Sequence, residues 1–184
     1  DIFSAKADPW RPSSIPASDL LAVFAGTHGM ANGLDAVLDA AAELQRRGRT
    51  AIKLLLIGQG KLKAPLQARA QKERLDNVVF HDPVNKTALA GLMAATDLGM
   101  QILANVPAFY YGTSPNKFFD YIAASLPVLN NYRGWLADLI QKHQCGFAVP
   151  PNNASAFADA LEQAADHRTT LKAMGQRGHA LAKN

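Results

Sequence analysis

The chain has 184 residues, 48% of them apolar and 18% charged, a balance that suits one globular domain with a single core and excludes a disordered chain. The net charge is +4, but the basic residues are scattered. Arg46, Arg47 and Arg49 sit at one helix end and Lys61 and Lys63 elsewhere, with no basic block interleaved with aromatics, so a nucleic-acid footprint is weakly supported, a small anionic ligand is compatible, and charge alone does not choose.

No apolar run approaches the roughly 20 residues that cross a bilayer, and no signal peptide is recognisable at the start. Cys145 is the only cysteine, so no internal disulfide forms and a reducing compartment suits the chain. His28, His81, His143, His167 and His179 are dispersed, and no metal site is expected.

Residues 1–18, rich in Pro and Ser, lack any helical or alternating period and read as a linker or lead-in to a domain over 19–184. Leu20 to Ala25 is a continuous apolar run of the kind buried on both faces of a parallel sheet. Leu34, Val37, Leu38, Ala41 and Leu44 then recur at helical spacing, and Gly48 is placed to end that helix. The pattern repeats. Ile52–Ile57 is a second strand, followed by a helix through Leu62, Leu66 and Ala70, and Val78-Val79-Phe80 is the third strand. A helix over 87–95 leads to a fourth strand, Leu98–Leu103, and a long loop leads to a helix over Asn116–Ala124. Pro127–Asn130 and Gly146–Val149 are short strands separated by a helix over 134–142, and two helices, 154–165 and 168–182, finish the chain.

Six strands alternating with helices predict an α/β fold, a doubly wound, Rossmann-like parallel sheet with helices on both faces. Ligands of such sheets sit beyond the carboxyl ends of the strands, so the loops after strands carry the candidate chemistry. In Gly26-Thr27-His28-Gly29-Met30-Ala31-Asn32-Gly33 the glycines permit close backbone approach, and the helix start that follows offers free amides. The loop is thus a diphosphate cradle or a tight strand-to-helix turn. It is neither a dinucleotide fingerprint nor a P-loop. His28 offers an imidazole to a phosphate or sugar hydroxyl, or else is an exposed loop histidine.

Ser114 followed by Pro115 makes an N-cap and first helical position, with Asn116, Lys117 and Asp120 in the turns that follow. Lys117 adds charge near the free amides and Asp120 offers a carboxylate to ribose hydroxyls; the alternative is a capped helix with both on its wet face. Tyr110 and Tyr111 offer rings for stacking or packing. Gly58-Gln59-Gly60-Lys61 is a weaker candidate of the same kind, and no catalytic triad is apparent from spacing.

In joint order, these segments resemble the C-terminal, donor-binding domain of family 4 retaining glycosyltransferases, which have the two-lobed GT-B architecture. Carrying the likeness are Asp1-Ile2-Phe3 with Pro9, Val23–Asp35, Leu55–Gly60, Val78–Val84, Ala95–Leu98, Phe119–Val128 and Gly146–Pro150. Gly26-Thr27-His28-Gly29 and Ser114-Pro115-Asn116-Lys117 look most like transferases of bacterial surface-polysaccharide assembly, including those handling acetamido sugars. The resemblance implies a nucleoside-diphosphate sugar substrate, often UDP-linked, and no cofactor. It implies that Pro83, Val84 and Asn85 contact the base, that amides around Ser114 to Lys117 hold the diphosphate, and that Asp120 binds ribose. The chain departs from the family pattern at Gly112, where an acidic residue is usual, and at Thr27 and Asn32, where basic residues are usual; either Lys61 and Lys117 compensate or diphosphate binding is weak.

The resemblance further implies an acceptor-binding N-terminal half outside this sequence, a cytoplasmic protein whose parent works at the inner face of the membrane, and no transfer by this chain alone. Two other readings stand beside it: a noncatalytic nucleotide-binding module, and half of a UDP-sugar 2-epimerase.

Overall fold

The computed structural model describes residues 7–108 and 116–184. Along it run β1 (Leu20–Ala25), α1 (Asp35–Arg46), β2 (Ile52–Ile57), α2 (Lys63–Lys72), β3 (Val78–His81), α3 (Lys86–Ala94) and β4 (Leu98–Gln101). Then come α4 (Asn116–Ala123), β5 (Val128–Asn130), α5 (Trp135–His143), β6 (Gly146–Ala148), α6 (Ala154–Asp166) and α7 (Arg168–Ala182).

All strand pairs are parallel, in the order β3-β2-β1-β4-β5-β6. β1 is therefore central, and its side chains alternate between two cores. Leu20, Ala22 and Phe24 face one that includes Val37 and Leu38 of α1, Leu66 of α2 and Phe157 of α6. Leu21 and Val23 face the other, with Leu92 of α3, Phe118 and Tyr121 of α4 and Ile140 of α5. A continuous apolar run is what a strand covered on both faces requires. The chain winds outward from β1 to β3, then returns to β4 on the other side of β1. The switch point of the sheet thus lies between β1 and β4, where crevices open past the strand ends.

Residues 7–18 are packed onto the domain. The Trp10 indole donates to Ala88 O (2.6 Å), Ile15 is buried, and Arg11 pairs with Asp97 at 3.2 Å. The sixth strand ends at Ala148, one residue earlier than its apolar run.

Much of the positive charge is spent within the fold. Arg47 bonds Asp159 (2.7 Å) and Glu162 (2.5 Å), and Arg49 bonds Glu162 (3.0 Å) and Asp166 (2.6 Å), clamping the end of α1 to α6. Arg69 joins α2 to Asp35 and Asp39 of α1. Among the described residues no helix is long and apolar enough to cross a membrane.

Candidate functional site

β1, β2 and β3 end in register, Ala25 beside Ile57 and Ile57 beside His81, and their pairing runs on into the loops. Gly26 N donates to Ile57 O (3.0 Å), Gly58 N to His81 O (3.1 Å), His28 N to Gln59 O (2.9 Å) and Leu62 N to His28 O (2.9 Å). Such close backing leaves no room for side chains. A Cβ on Gly58 would lie 1.9 Å from Gly26 O, and one on Gly60 would lie 2.5 Å from His28 O. Both glycines also hold positive φ, 152° and 157°, which L side chains rarely adopt.

Beyond these zipped loops opens a cleft of about 400 Å³ lined by Ala25, Gly26, Thr27, Ile57, Gly58, Gln59, Pro83, Val84 and Leu89. Six of the residues singled out in the sequence, Gly26, Thr27, Gly58, Gln59, Pro83 and Val84, therefore converge on one place. Ile57, Pro83, Val84 and Leu89 offer an apolar wall for a flat ring, and the glycine backbone offers polar edges. Asn85 caps α3, its side chain accepting from Ala88 N (2.8 Å), and so fixes the loop that carries Pro83 and Val84.

Lys117, in the first turn of α4, reaches across the switch point to Gly26. A Cβ there would come within 2.3 Å of its Cε and 2.7 Å of its Nζ. The amine lies 5.1 Å from the centroid of the Phe24 ring. Burial pushes the amine below its ordinary value, with Asp120 pulling it back up. Asp120, one turn on, is exposed; loss of hydration raises its carboxyl, opposed by Lys117 and Lys86. The arrangement can accept an anion beside Lys117 and a flat ring against Val84 in one ligand.

Several expectations are corrected by the geometry. His28 is fully buried, so it neither stands exposed in a loop nor reaches a phosphate; its Nδ1 lies 3.1 Å from Gly26 O. Lys61 is exposed, whereas Lys63 is buried and donates to Gly58 O (2.9 Å) and Asp82 Oδ1 (2.8 Å). Nothing in the sequence marks Lys63 as buried, because its partners are brought to it only by the fold.

The first loop lines two clefts rather than one. Gly26 and Thr27 line the cleft, but after a short 3₁₀ turn over Met30–Asn32 the chain turns away. Gly33 and the start of α1 then line a different cleft, with Asp39, Asn105 and Asn152. Gly29 lines neither cleft, and a Cβ on it would meet Thr27 Cγ2 at 3.5 Å. Asn116 is exposed at the start of α4. Tyr110, Tyr111, Gly112, Ser114 and Pro115 lie outside the described residues. Among the described residues no group of three His, Cys, Asp or Glu is arranged to hold a metal. Cys145 is buried.

The chain matches the family Glycosyl transferases group 1 over residues 8–180. It belongs to that family. No curated protein matches it. Among solved structures it is similar to WaaG, described as a glycosyltransferase involved in lipopolysaccharide biosynthesis, with 22% identity and a TM-score of 0.76 over 95% of this chain and 48% of that one. HepE from Anabaena gives 16% identity and a TM-score of 0.77, over 100% of this chain and 50% of that one. The C-terminal domain of LpcC from Francisella tularensis, a glycosyl transferase group 1 family protein, gives 15% identity and a TM-score of 0.75, over 96% of this chain and 93% of that one. The fold is thus that of one lobe of a GT-B glycosyltransferase, and the chain spans about half the length of WaaG and HepE.

Proposed function

We propose that this chain is the donor-binding lobe of a retaining GT-B glycosyltransferase of family 4 that takes a nucleoside-diphosphate sugar, UDP-linked, and serves surface-polysaccharide assembly. The observation that carries the proposal is the convergence of Gly26, Thr27, Gly58, Gln59, Pro83 and Val84 on one cleft with the Lys117 amine against Gly26. In this reading the base lies against Pro83 and Val84, and the diphosphate meets the Gly26-Thr27 backbone and Lys117. Asp120 faces the ribose. When the sugar leaves, negative charge grows on the diphosphate, and a preplaced ammonium stabilises that charge most in the transition state. HepE, solved in complex with UDP-glucose, supports the choice of uridine.

The acceptor site belongs to a second lobe. Met30, Val106, Phe119 and Trp135, exposed large hydrophobics of this chain, all follow the carboxyl ends of strands. Such a rim suits coverage by another domain, and the greater length of WaaG and HepE agrees with it. The lobe alone therefore binds donor without transferring sugar, and the whole protein works in the cytoplasm on an acceptor held at the membrane.

A thermal-shift titration with UDP, GDP, ADP, CMP and NAD tests the proposal. Ligand at about a hundred times its Kd stabilises by about 2.7 kcal/mol, on the order of 5 to 10 °C for a domain of this size. UDP is expected to produce that shift. A shift with NAD alone, or sugar transfer by the chain without another domain, contradicts the proposal.

A further inference from the structure

His28 lies beneath the cleft, on the central strand's loop, with no exposed surface. Its ring centroid is 6.4 Å from that of Phe24, edge-on, and 6.2 Å from that of Phe80. A Cβ on Gly58 would come within 3.0 Å of its Nδ1, so the glycine turn rests directly on the imidazole. The backbone of His28 is tied on both sides, its N–H to Gln59 O and its carbonyl to Leu62 N. One residue thus joins the Gly26-Thr27 loop to the Gly58-Gln59-Gly60 turn.

The protonation state follows from the hydrogen bonds. Gly26 O only accepts, so Nδ1, 3.1 Å away, carries the proton. Nε2 is buried with no partner. A second proton there would place an unpaired N–H and a full charge in an aromatic pocket, which is costly. The charged groups around it add to that cost. Lys63 approaches from α2, and Lys117 of α4 lies on Phe24. Lys63 is itself paired with Asp82, and His81, at the end of β3, bonds Asp82 O through Nδ1. Burial pushes the imidazole below its ordinary value; the bond to Gly26 pulls it up and Lys63 pushes it down again.

We propose that the neutral imidazole of His28 is the positioning residue of the cleft, holding the Gly26-Thr27 backbone and the Gly58-Gln59 turn at the spacing that admits a nucleoside diphosphate. It touches no substrate and acts through the two loops. This rests on the donor-cleft reading for its ligand, and on the loop geometry alone for its mechanics.

The test compares the wild-type chain with His28→Asn and His28→Leu from about pH 8 to about pH 5, a range that spans the ordinary titration of histidine. UDP-glucose affinity is measured by calorimetry, because its phosphate diesters do not titrate there, and amide protection is measured at His28 and Leu62 by hydrogen exchange. Wild-type affinity is expected to fall about tenfold for each pH unit below the imidazole's titration, with amide protection falling in parallel. His28→Asn, whose side-chain amide donates to Gly26 O without titrating, keeps both flat. His28→Leu binds weakly at every pH.

Identical pH profiles for wild type and His28→Asn overturn the proposal, as does full affinity in His28→Leu. If no variant binds UDP-glucose at any pH, the donor reading fails, and amide protection decides the role of His28. Protection lost in acid by wild type alone supports the role, and protection independent of pH in wild type overturns it. Should His28→Leu not fold, the comparison with His28→Asn decides in the same way.

Discussion

The Lys117 amine lies 5.1 Å from the centroid of the Phe24 ring, joining the helix after β4 to the end of β1 across the switch point of the sheet. An ammonium held over an aromatic face is attracted to it, yet here it is also partly stripped of water. An anion at Gly26 would restore what hydration was lost. Replacing Lys117 with Ala is therefore expected to weaken UDP binding about 10- to 100-fold, the range for losing a charged hydrogen bond, while the unfolding transition stays cooperative. Calorimetry checks this, and unchanged affinity would remove Lys117 from the site.

The glycines of the two loops are expected to separate stability from binding. A Cβ on Gly26 meets the flexible end of Lys117, whereas one on Gly60 meets the backbone of His28. Gly26→Ala should unfold at nearly the wild-type urea midpoint but bind UDP poorly, because the amine is displaced. Gly60→Ala, strained at a φ of 157°, should lose about 1–3 kcal/mol of stability. The reverse order in urea titrations would contradict the loop packing.

Stability should also respond to acid through His28. Its folded-state titration lies below the ordinary value of 6.5. Below that pH the unfolded chain takes up the proton first, so stability is lost as pH falls from 6.5 through the folded-state value, and is fully present above 6.5. Urea midpoints measured down this window should fall less steeply in His28→Asn than in wild type. Equal slopes would mean that His28 titrates normally.

Tyr121 is fully buried beside Gly99, with its hydroxyl 3.2 Å from Val23 O and 3.1 Å from Met100 O. It therefore stitches β1 to β4 on the underside of the switch point. Tyr121→Phe is expected to cost about 1–3 kcal/mol, as for other buried hydrogen bonds left without a donor, again read as a urea midpoint.

The strands of this fold were legible because each is a short apolar run closed by a glycine or a polar turn, as in Leu20–Ala25 before Gly26 and Ile52–Ile57 before Gly58. Only the resemblance points to Pro83 and Val84, since no local pattern marks them, and the fold places them in one cleft with Gly26 and Gly58. What sequence could not supply was the depth of a polar side chain. His28 lies in a glycine-rich loop and Lys63 opens the helix after β2, and both are buried, His28 under the Gly58–Gly60 turn and Lys63 through bonds to Gly58 O and Asp82. Arg47 and Arg49 contribute to a positive net charge, yet the carboxylates that tie them to α6 lie more than a hundred residues later in the chain. The split of the first loop into two clefts was hidden for a related reason. The turn at Met30–Asn32 and the contact of Gly33 with Ala104 depend on the chain after β4.

The most direct test of the donor cleft is a titration of the labelled chain with UDP, followed residue by residue in its amide NMR spectrum. The proposal predicts that the largest shifts fall on Gly26, Thr27, Gly58, Gln59, Val84 and Lys117. Shifts centred instead on Gly33, Asp35, Asn105 and Asn152, the lining of the other cleft past the strand ends, would contradict it.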